Sequence, residues 1–282
     1  MIIIADSGST KTHWAIGTRR ETRWVWRFAT TLGLNPRLTS EEDMRRALTA
    51  VREQAEGASS DGERLSVKFY GAGCGTAEMQ ETVRKRVSEV LGDADVEVAG
   101  DMLGACRAVC GEKSGIVGIL GTGSNACLYD GREIVKQVTS TGYVLGDEGS
   151  GNHIGRRLLK DFMVGKMPEE LAKEMREEYG LTVNGILQAI YHEPYANRYM
   201  ASFAPFAARH RGTQYVRELL GEVFGAFWKE MIVPLSPDGG EVGLVGSVAE
   251  AFEGEIAKAA PEGFWVESVE GNPIEGLIRN MR

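Results

Sequence analysis

MIIIADSGSTKTHWAI, the sequence of residues 1–16, indicates the fold more directly than any other stretch of the chain. Residues 2–5 are apolar and predict a buried strand, residues 6–11 form a polar turn around Gly8, and residues 12–16 predict a second strand. A strand, a glycine turn and a second strand make a hairpin, whereas a P-loop joins a strand to a helix. The GxxxxGK[ST] pattern of a P-loop is also absent from the sequence.

The same pattern returns in the second half of the chain. Residues 116–129, IVGILGTGSNACLY, again predict a strand, a glycine turn and a strand. Aligning Gly8 with Gly123 also matches Ser7 with Thr122, two hydroxyl side chains. This weak internal repeat predicts two halves of similar architecture.

Predicted strands and helices alternate along both halves, which indicates an α/β fold. Further strands are predicted at residues 24–28, 65–70, 96–99 and 241–245. Helices are predicted at residues 41–55, 76–90, within 156–232, 248–259 and 273–281. We therefore expect two α/β domains with a cleft between them. The N-terminal domain would span residues 1–109 and regain about 273–282, and the C-terminal domain, residues 110–272, would carry a helical insertion.

Charge and composition exclude several classes of partner. The formal net charge is −8 and the isoelectric point is near 5.3, so the chain lacks the basic balance expected of a nucleic-acid-binding or anionic-membrane-binding protein. No apolar run approaches the roughly 20 residues of a membrane span. The apolar N-terminus is too short for a signal peptide. The four cysteines form no CxxC pair, so we expect reduced thiols and a cytoplasmic protein; they are Cys74, Cys106, Cys110 and Cys127.

The two glycine turns have the chemistry needed to hold phosphate. Glycine lets the backbone approach a phosphate closely, while hydroxyl and N–H groups can bind its oxygens. Asp6 fits an anchor for Mg²⁺, which prefers carboxylate oxygen and keeps several waters. Taken alone, the first turn is slightly better explained as an ordinary hairpin turn, but a pair of such turns could clamp a polyphosphate. Gly246-Ser247 would be a third turn, near a ribose or adenine, although strand–Gly–helix junctions are common.

Two acidic positions are candidates for acceptor chemistry. Asp101 follows a predicted strand, and α/β folds place ligand chemistry at the carboxyl ends of strands. The alternative is that Asp101 caps the helix that begins at Met102. Asp147 and Glu148 lie between glycines and could accept hydrogen bonds from sugar hydroxyls, or could form an acidic turn exposed to solvent.

In this order, DSGSTK at 6–11, Gly100-Asp101, GTGSN at 121–125, GDEGSG at 146–151 and Gly246-Ser247, the motifs resemble the N-acetylglucosamine kinase family. That family belongs to a wider ATPase group that includes the activators of benzoyl-CoA reductase and 2-hydroxyacyl-CoA dehydratase. The resemblance covers nearly the whole chain. It implies two ribonuclease-H-like domains of the actin/hexokinase type and ATP-dependent phosphorylation of N-acetylglucosamine to its 6-phosphate.

The resemblance also implies residue roles. Asp101 would bind the sugar and act as the catalytic base, and Asp6 would hold Mg²⁺ through water. ATP and its phosphates would be bound by Ser7, Gly8, Ser9, Thr10, Lys11, Gly121, Thr122, Gly123, Gly246 and Ser247. The amino sugar would be bound by Asn35, Asp101, Ser124, Asn125, Gly142 and Asp147. A sugar that contacts both halves would close the cleft and suppress ATP hydrolysis by water. A homodimer is compatible with the family.

The chain departs from the family at two positions. His13 stands where relatives most often carry an acidic side chain, and Thr141-Gly142 replaces a frequent Trp-Gly. The acceptor is therefore open among N-acetylglucosamine, N-acetylmuramic acid, glucosamine and other amino sugars. One alternative function is an activator ATPase, which needs cysteines that share an iron–sulfur cluster between subunits. Another is a sugar or ATP sensor without turnover, although the first turn begins at residue 6 and leaves no room before it for a DNA-binding helix-turn-helix.

Overall fold

The computed structural model describes residues 1–8, 10–56 and 64–281. The chain forms two compact units: unit 1 consists of Met1–Gly111 with Pro273–Arg282, and unit 2 consists of Glu112–Asn272. Each unit contains one five-stranded mixed sheet with helices packed against it.

Unit 1 follows a simple order of elements. Three antiparallel strands come first, then two strands that run parallel to β1 and alternate with helices. The elements are β1 Ile2–Ser7, β2 Lys11–Arg20, β3 Arg23–Leu32, α1 Glu41–Glu56, β4 Leu65–Gly71, α2 Ala77–Leu91, β5 Ala94–Gly100 and α3 Asp101–Val109. The chain returns to unit 1 with the helix Pro273–Arg279. The strand order in the sheet is β3-β2-β1-β4-β5.

The sheet of unit 1 is buried on both faces. Ile3 and Ala5 pack into the cluster beneath α1 and α2, whereas Ile2 and Ile4 pack with α3 and the helix Pro273–Arg279. Side chains alternate between the faces of a strand, so a continuous apolar run is what a strand covered on both faces requires. This explains why the first strand is apolar at every position from 2 to 5.

Unit 2 repeats the sheet and adds a helical insertion. Its elements are β6 Gly115–Leu120, β7 Ser124–Tyr129, β8 Ile134–Gln137, α4 Gly142–Leu145, α5 Gly151–Met163, α6 Glu169–Tyr179, α7 Val183–Tyr191, α8 Ala196–Ala201, α9 Ala204–Arg209, α10 Gln214–Phe227, a π-helical turn Trp228–Ile232, β9 Gly240–Val245, α11 Ser247–Ala251, α12 Glu253–Lys258 and β10 Phe264–Glu270; Pro273–Arg279 is α13. The strand order is β10-β9-β6-β7-β8, with β6 and β7 antiparallel and β6, β9 and β10 parallel. Across the described parts of the chain, every helix is too short or too polar to span a membrane.

Strand order and direction are therefore the same in the two sheets, but the two hairpin turns differ in length. In unit 1 the last residues of β1 and β2 that pair with each other are Ser7 and Thr12, with four residues between them in the sequence. In unit 2 the last paired residues are Leu120 and Ser124, so the turn is one residue shorter. The repeat seen in the sequence is thus a repeat of topology, and the residues of the turns do not superpose one by one.

Three parts of unit 2 differ from the sequence prediction. The helix predicted at residues 248–259 is split into α11 and α12 at Phe252, where the backbone leaves the helical region (φ −125°, ψ 23°) and the ring is buried against Phe224. Strands β8 and β10 were not predicted. Both are edge strands with irregular register, so their sequences lack a regular alternation of apolar and polar residues.

Candidate functional site

Two carboxylates lie at the carboxyl ends of parallel strands in unit 1. Asp6 is the penultimate residue of β1, and Asp101 follows the last residue of β5; β4 separates the two strands. Both side chains are half-buried. Asp101 Oδ1 accepts a hydrogen bond from the Met102 N–H at 2.9 Å. The N-cap residue of α3 is Gly100, so Asp101 occupies the first helical position and its side chain bonds an N–H of the first turn.

The two carboxylates influence each other. The pKa of Asp6 is raised to about 7, first because the group is buried and second because the charge of Asp101 is close. Burial also raises the pKa of Asp101, although the backbone N–H groups of Met102 and of Asp101 itself oppose this rise. Placing two like charges together is unfavourable unless a proton or a cation shares the site. The pair is therefore suited to proton transfer and to binding a cation.

His13 in β2 is the cross-strand neighbour of Asp6. Burial lowers the pKa of His13, and the charge of Lys11 lowers it further. The imidazole is thus biased towards its neutral form. The departure from an acidic side chain at this position places a neutral group next to Asp6.

The first glycine turn is held by internal hydrogen bonds. The fully buried Ser7 hydroxyl bonds to the Thr12 hydroxyl at 2.8 Å and accepts a hydrogen bond from the Leu34 N–H at 3.0 Å. The Gly8 N–H donates to the Lys11 carbonyl at 2.9 Å. Ser7 therefore anchors the turn. Thr10 and Lys11 are exposed, so a ligand can contact their side chains. Ser9 lies outside the described residues.

Asn35 is buried beside the loop that follows β4. Its Oδ1 accepts a hydrogen bond from the Arg37 N–H at 3.0 Å. Gly73 packs against the same side chain with φ of 85°, and a Cβ at that position would overlap Oδ1. The predicted sugar ligand Asn35 is therefore fixed by a contact that only glycine allows.

The second glycine turn is joined to the first turn of α5. Within it, the Gly121 N–H donates to the Gly123 carbonyl at 3.0 Å. The N–H groups of Gly151 and Asn152 donate to the carbonyls of Gly121 (2.8 Å) and Thr122 (3.1 Å). The start of α5, where N–H groups have no partner inside the helix, is thus bonded to the turn.

Asp147 lies against the same turn. The Ser124 N–H donates to its Oδ1 and Asn152 Nδ2 donates to its Oδ2, both at 3.4 Å. Its backbone is left-handed (φ 62°), a rare conformation for a residue other than glycine. Burial raises the pKa of Asp147, and the Ser124 N–H, the Arg156 charge and the Asn152 amide oppose the rise. The structure thus brings together Asp147 and Ser124, two of the predicted sugar ligands.

Two buried polar atoms flank Asp147 without a partner. Ser124 Oγ and Asn152 Oδ1 make no hydrogen bond to any residue that the structure describes. Such atoms are costly to bury and call for an explanation.

Asn152 was missed by the sequence analysis, because nothing in its position after the acidic motif shows that its amide reaches Asp147. The remaining predicted ligands nearby are Asn125, whose Oδ1 accepts from the Ala126 N–H at 2.9 Å, and Gly142, which is exposed with φ of 71°.

A cavity of about 290 Å³ in unit 2 joins the predicted nucleotide residues. Gly121, Thr122, Gly151 and Ser247 line it together with small apolar side chains of α8, α9 and α11. Gly246, with φ of 115°, packs against the Leu120 carbonyl, and a Cβ there would lie 2.5 Å from that oxygen. The turn at residues 246–247 and the turn at 121–123 are therefore neighbours within one unit.

Nothing in the described part of the chain gathers three or more His, Cys, Asp or Glu side chains into a metal-binding group. A Mg²⁺ ion does not require such a group, since it is commonly held by one or two carboxylates, water and phosphate. The Asp6–Asp101 pair is of that kind.

The chain matches one protein-family model and is similar to several solved structures. The model of the BadF/BadG/BcrA/BcrD ATPase family matches residues 5–224. A proposed N-acetylglucosamine kinase from Porphyromonas gingivalis is similar in structure with a TM-score of 0.91 and 39% sequence identity, over 99% of this chain and 98% of that chain. No curated protein matches the sequence.

Two more distant structures show the fold. A proposed N-acetylglucosamine kinase from Chromobacterium violaceum has a TM-score of 0.73 at 19% identity, over 100% of this chain and 98% of that one. A ROK family glucokinase from Streptomyces griseus, in complex with glucose and AMPPNP, has a TM-score of 0.55 at 17% identity, over 99% and 97%. The two α/β units thus have the fold of the actin/hexokinase type.

Proposed function

Because the chain belongs to the BadF/BadG/BcrA/BcrD ATPase family, we propose that it is an ATP-dependent sugar kinase that transfers phosphate to an amino sugar. The proposed acceptor is N-acetylglucosamine, and the proposed product is its 6-phosphate. The name of the Porphyromonas gingivalis relative supports this acceptor, since 39% identity extends over nearly the whole of both chains.

The observation that carries the proposal is the pair of Asp6 and Asp101. Phosphoryl transfer needs a group that takes the proton from the attacking hydroxyl, and a carboxylate with a raised pKa suits that role near neutral pH. Burial raises the pKa of Asp101, and the residue is not fully buried, so an acceptor hydroxyl can reach it. We assign Asp101 as the catalytic base and Asp6 as the residue that holds Mg²⁺ through water.

The metal fits these residues because their like charges need compensation. When bound, Mg²⁺ supplies charge neutralisation at the phosphates. Asp6 would orient its water shell, while Asp101 accepts the proton. The phosphates themselves would be held at the turns by hydroxyls, the Lys11 ammonium and backbone N–H groups other than those of Gly8 and Gly121, which already bond within their turns. The proposed phosphate-binding residues are Gly8, Ser9, Thr10, Lys11, Gly121, Thr122 and Gly123, with Ser7 anchoring its turn.

The cavity beside Ser247 is the proposed nucleoside site. Its volume of about 290 Å³ is at the small end of ligand pockets, which suits part of a nucleotide and not a whole one. Gly121 and Thr122 line this cavity, so a base bound in it would lie next to the proposed phosphate turn. Gly246 and Ser247 would approach the ribose.

The proposed amino-sugar ligands are Asn35, Asp101, Ser124, Asn125, Gly142 and Asp147. Support comes from the cluster around Asp147, where the unpartnered Ser124 hydroxyl and the carboxylate are neighbours. Carboxylates and amides are the groups that bind sugar hydroxyls well, because they accept or donate several hydrogen bonds. We place the reaction in the cytoplasm and keep a homodimer as a prediction.

An activator ATPase is the competing function, and the cysteines argue against it. Cys74, Cys106 and Cys127 are buried and Cys110 is half-buried. Burial and the nearby Asp101 charge raise the pKa of Cys74 to about 12, which disfavours the thiolate that a cluster requires. Shared clusters need cysteines presented at a surface, and three of these four side chains, Cys74, Cys106 and Cys127, are buried within their own units.

A coupled assay of ADP release tests the proposal. The panel of acceptors is N-acetylglucosamine, N-acetylmuramic acid, glucosamine and glucose, each with ATP and Mg²⁺. We expect sugar-dependent ADP release that is fastest with an N-acetylated amino sugar and slow hydrolysis without sugar. Fast sugar-independent hydrolysis, together with stoichiometric iron in protein purified without oxygen, would instead establish the activator.

A further inference from the structure

We propose that the nucleotide base is held only by apolar contact, so that the protein accepts guanine and hypoxanthine nucleotides as well as adenine nucleotides. This inference rests on the proposed function, because it assigns the cavity beside Ser247 to the base of the phosphate donor. The side chains that line the cavity determine which nucleoside triphosphates can serve as phosphate donors.

The apolar lining of the cavity comes from two elements, which we call its walls. Ala204, Pro205 and Ala208 belong to α9, and Val248, Ala251 and Phe252 lie at α11. A planar ring packed against such side chains is bound by its faces, which are similar in all purines. Purines differ at their edges, where adenine carries an amino group and guanine and hypoxanthine carry a carbonyl.

Reading those edges requires hydrogen-bonding groups, either on side chains or on backbone that is not already bonded. The Gly121 and Thr122 carbonyls already accept hydrogen bonds from the N–H groups of Gly151 and Asn152. Among the described residues that line the cavity, the polar side chains are the hydroxyls of Thr122 and Ser247. Both belong to the glycine turns, at the end of the cavity assigned to ribose and phosphate. No carboxylate, amide, imidazole or cation contributes to that lining.

Arg211 is a charged residue that contacts both walls, but it is already engaged. Its Nε donates to the Ala208 carbonyl at 2.8 Å, and its guanidinium carbon lies 5.5 Å from the centre of the Phe252 ring. Its Nη1 lies 3.7 Å from the Glu255 carboxylate. An arginine donor would pair with the carbonyl of guanine and not with the amino group of adenine, so a residual contact would not exclude guanine.

A cavity that contacts the base only through apolar groups can distinguish one purine nucleotide from another only weakly. An apolar pocket rejects a similarly shaped ligand by no more than roughly 10²-fold, whereas a site that hydrogen-bonds the differing group reaches about 10⁴–10⁵-fold. ATP, GTP and ITP share the ribose and the triphosphate and differ only at the base edge. Their specificity constants should therefore lie within about 10²-fold of one another.

The first test measures binding and turnover separately. Calorimetric titration with ADP and GDP gives two dissociation constants that do not depend on an acceptor sugar. The kcat/KM values with ATP, GTP and ITP come from assays of the released ADP, GDP and IDP. We expect both ratios to stay below about 10². A preference above that limit in binding overturns the inference. Similar affinities for ADP and GDP without sugar phosphorylation would reject the proposed kinase and leave the inference intact.

The second test uses a matched pair of variants. Ala251→Leu adds bulk to a wall of the cavity, and Ala257→Leu makes the same change at an exposed position of α12 outside it. Ala251→Leu should weaken ADP and GDP by a similar factor of at least about 10, while Ala257→Leu should change neither. If Ala251→Leu leaves both affinities unchanged, or weakens one purine alone, the base does not occupy this cavity in the way proposed.

Discussion

The sheets of unit 1 and unit 2 have the same strand order, but different side chains stand where their parallel strands end. Asp6 is the penultimate residue of β1, and the equivalent residue of β6 is Ile119. Asp101 follows β5, and the equivalent residue after β10 is Gly271. Unit 1 has two carboxylates at this edge, whereas unit 2 has an apolar side chain and a glycine.

Unit 2 has features of its own around its glycine turn. Its turn is bonded to the start of α5, it contains the cavity beside Ser247, and its acidic group is Asp147, in a loop and not at a strand end. The two sheets therefore share their topology but not the chemistry of the residues at their strand ends. The fold needs only apolar strands and short turns, so the residues at strand ends are free to differ.

The largest expected effect comes from removing the carboxylate of unit 1 that we assign as base. Asp101→Asn should lower kcat by roughly 10²–10⁴-fold with little change in the KM for ATP, because an amide cannot take the proton of the attacking hydroxyl. Asp95→Asn, an exposed carboxylate on the same strand β5, is the control and should be silent. Near-normal turnover of Asp101→Asn would mean that the strand ends of unit 1 are as inert as those of unit 2.

The next effect concerns packing in the helical insertion of unit 2. A Cβ on Gly155 in α5 would overlap the Met200 carbonyl, so Gly155→Ala should destabilise unit 2 by about 1–3 kcal/mol. Gly221→Ala, an exposed position in α10 with open space around it, should instead stabilise by up to about 1 kcal/mol. Urea unfolding measures both values. Equal effects would show that α5 and α8 are not packed as closely as described.

The two units should respond to pH in opposite directions. In unit 1 the pKa of Asp6 is raised to about 7, so the unfolded chain loses this proton more readily and stability falls as pH rises from about 4 to 7. In unit 2 burial lowers the pKa of His153 to about 4, and the charges of Arg156 and Arg157 add to this. Between pH 6.5 and 4 the unfolded chain binds the extra proton, so stability from His153 is lost as pH falls.

Variants at these two positions separate the contributions. His153→Asn keeps an acceptor for the Gly149 N–H and should remove about 3 kcal/mol of acid destabilisation by pH 4. Asp6→Asn should flatten the loss of stability between pH 4 and 7. The control is His192→Asn at an exposed position after α7. Denaturant unfolding across pH measures each slope, and parallel slopes in the two variants would contradict the assignment.

The smallest effect distinguishes ligand binding from folding in unit 2. The Ser124 hydroxyl has no partner among the described residues, so Ser124→Ala should leave stability unchanged and raise the KM for the sugar by about tenfold, the value of one hydrogen bond. The Ser150 hydroxyl accepts a hydrogen bond from the His153 N–H at 3.1 Å, so Ser150→Ala should cost about 1 kcal/mol of stability. A Ser124 variant that loses stability and binds sugar normally would make its hydroxyl structural.

Much of the fold was predictable because its signals are local. The apolar run of β1 and the glycine turn after it lie within a few residues, and the helices α1 and α2 begin and end within two residues of their predicted bounds. Strand β10 was not predictable in the same way, since a bulge between Val266 and Ser268 interrupts its alternation. The break at Phe252 depends on where its ring is buried, which no local pattern encodes.

By itself the sequence determined the two hairpins, the alternation of strands and helices, and the family through its ordered motifs. The tertiary structure decided which of the motif residues meet. Asp6 and Asp101 come close because the ends of parallel strands meet at one edge only after the sheet has formed. Likewise, Ser247 joins Thr122 in one cavity, and Asn152 reaches Asp147 across a left-handed turn, through contacts that only the folded backbone brings together.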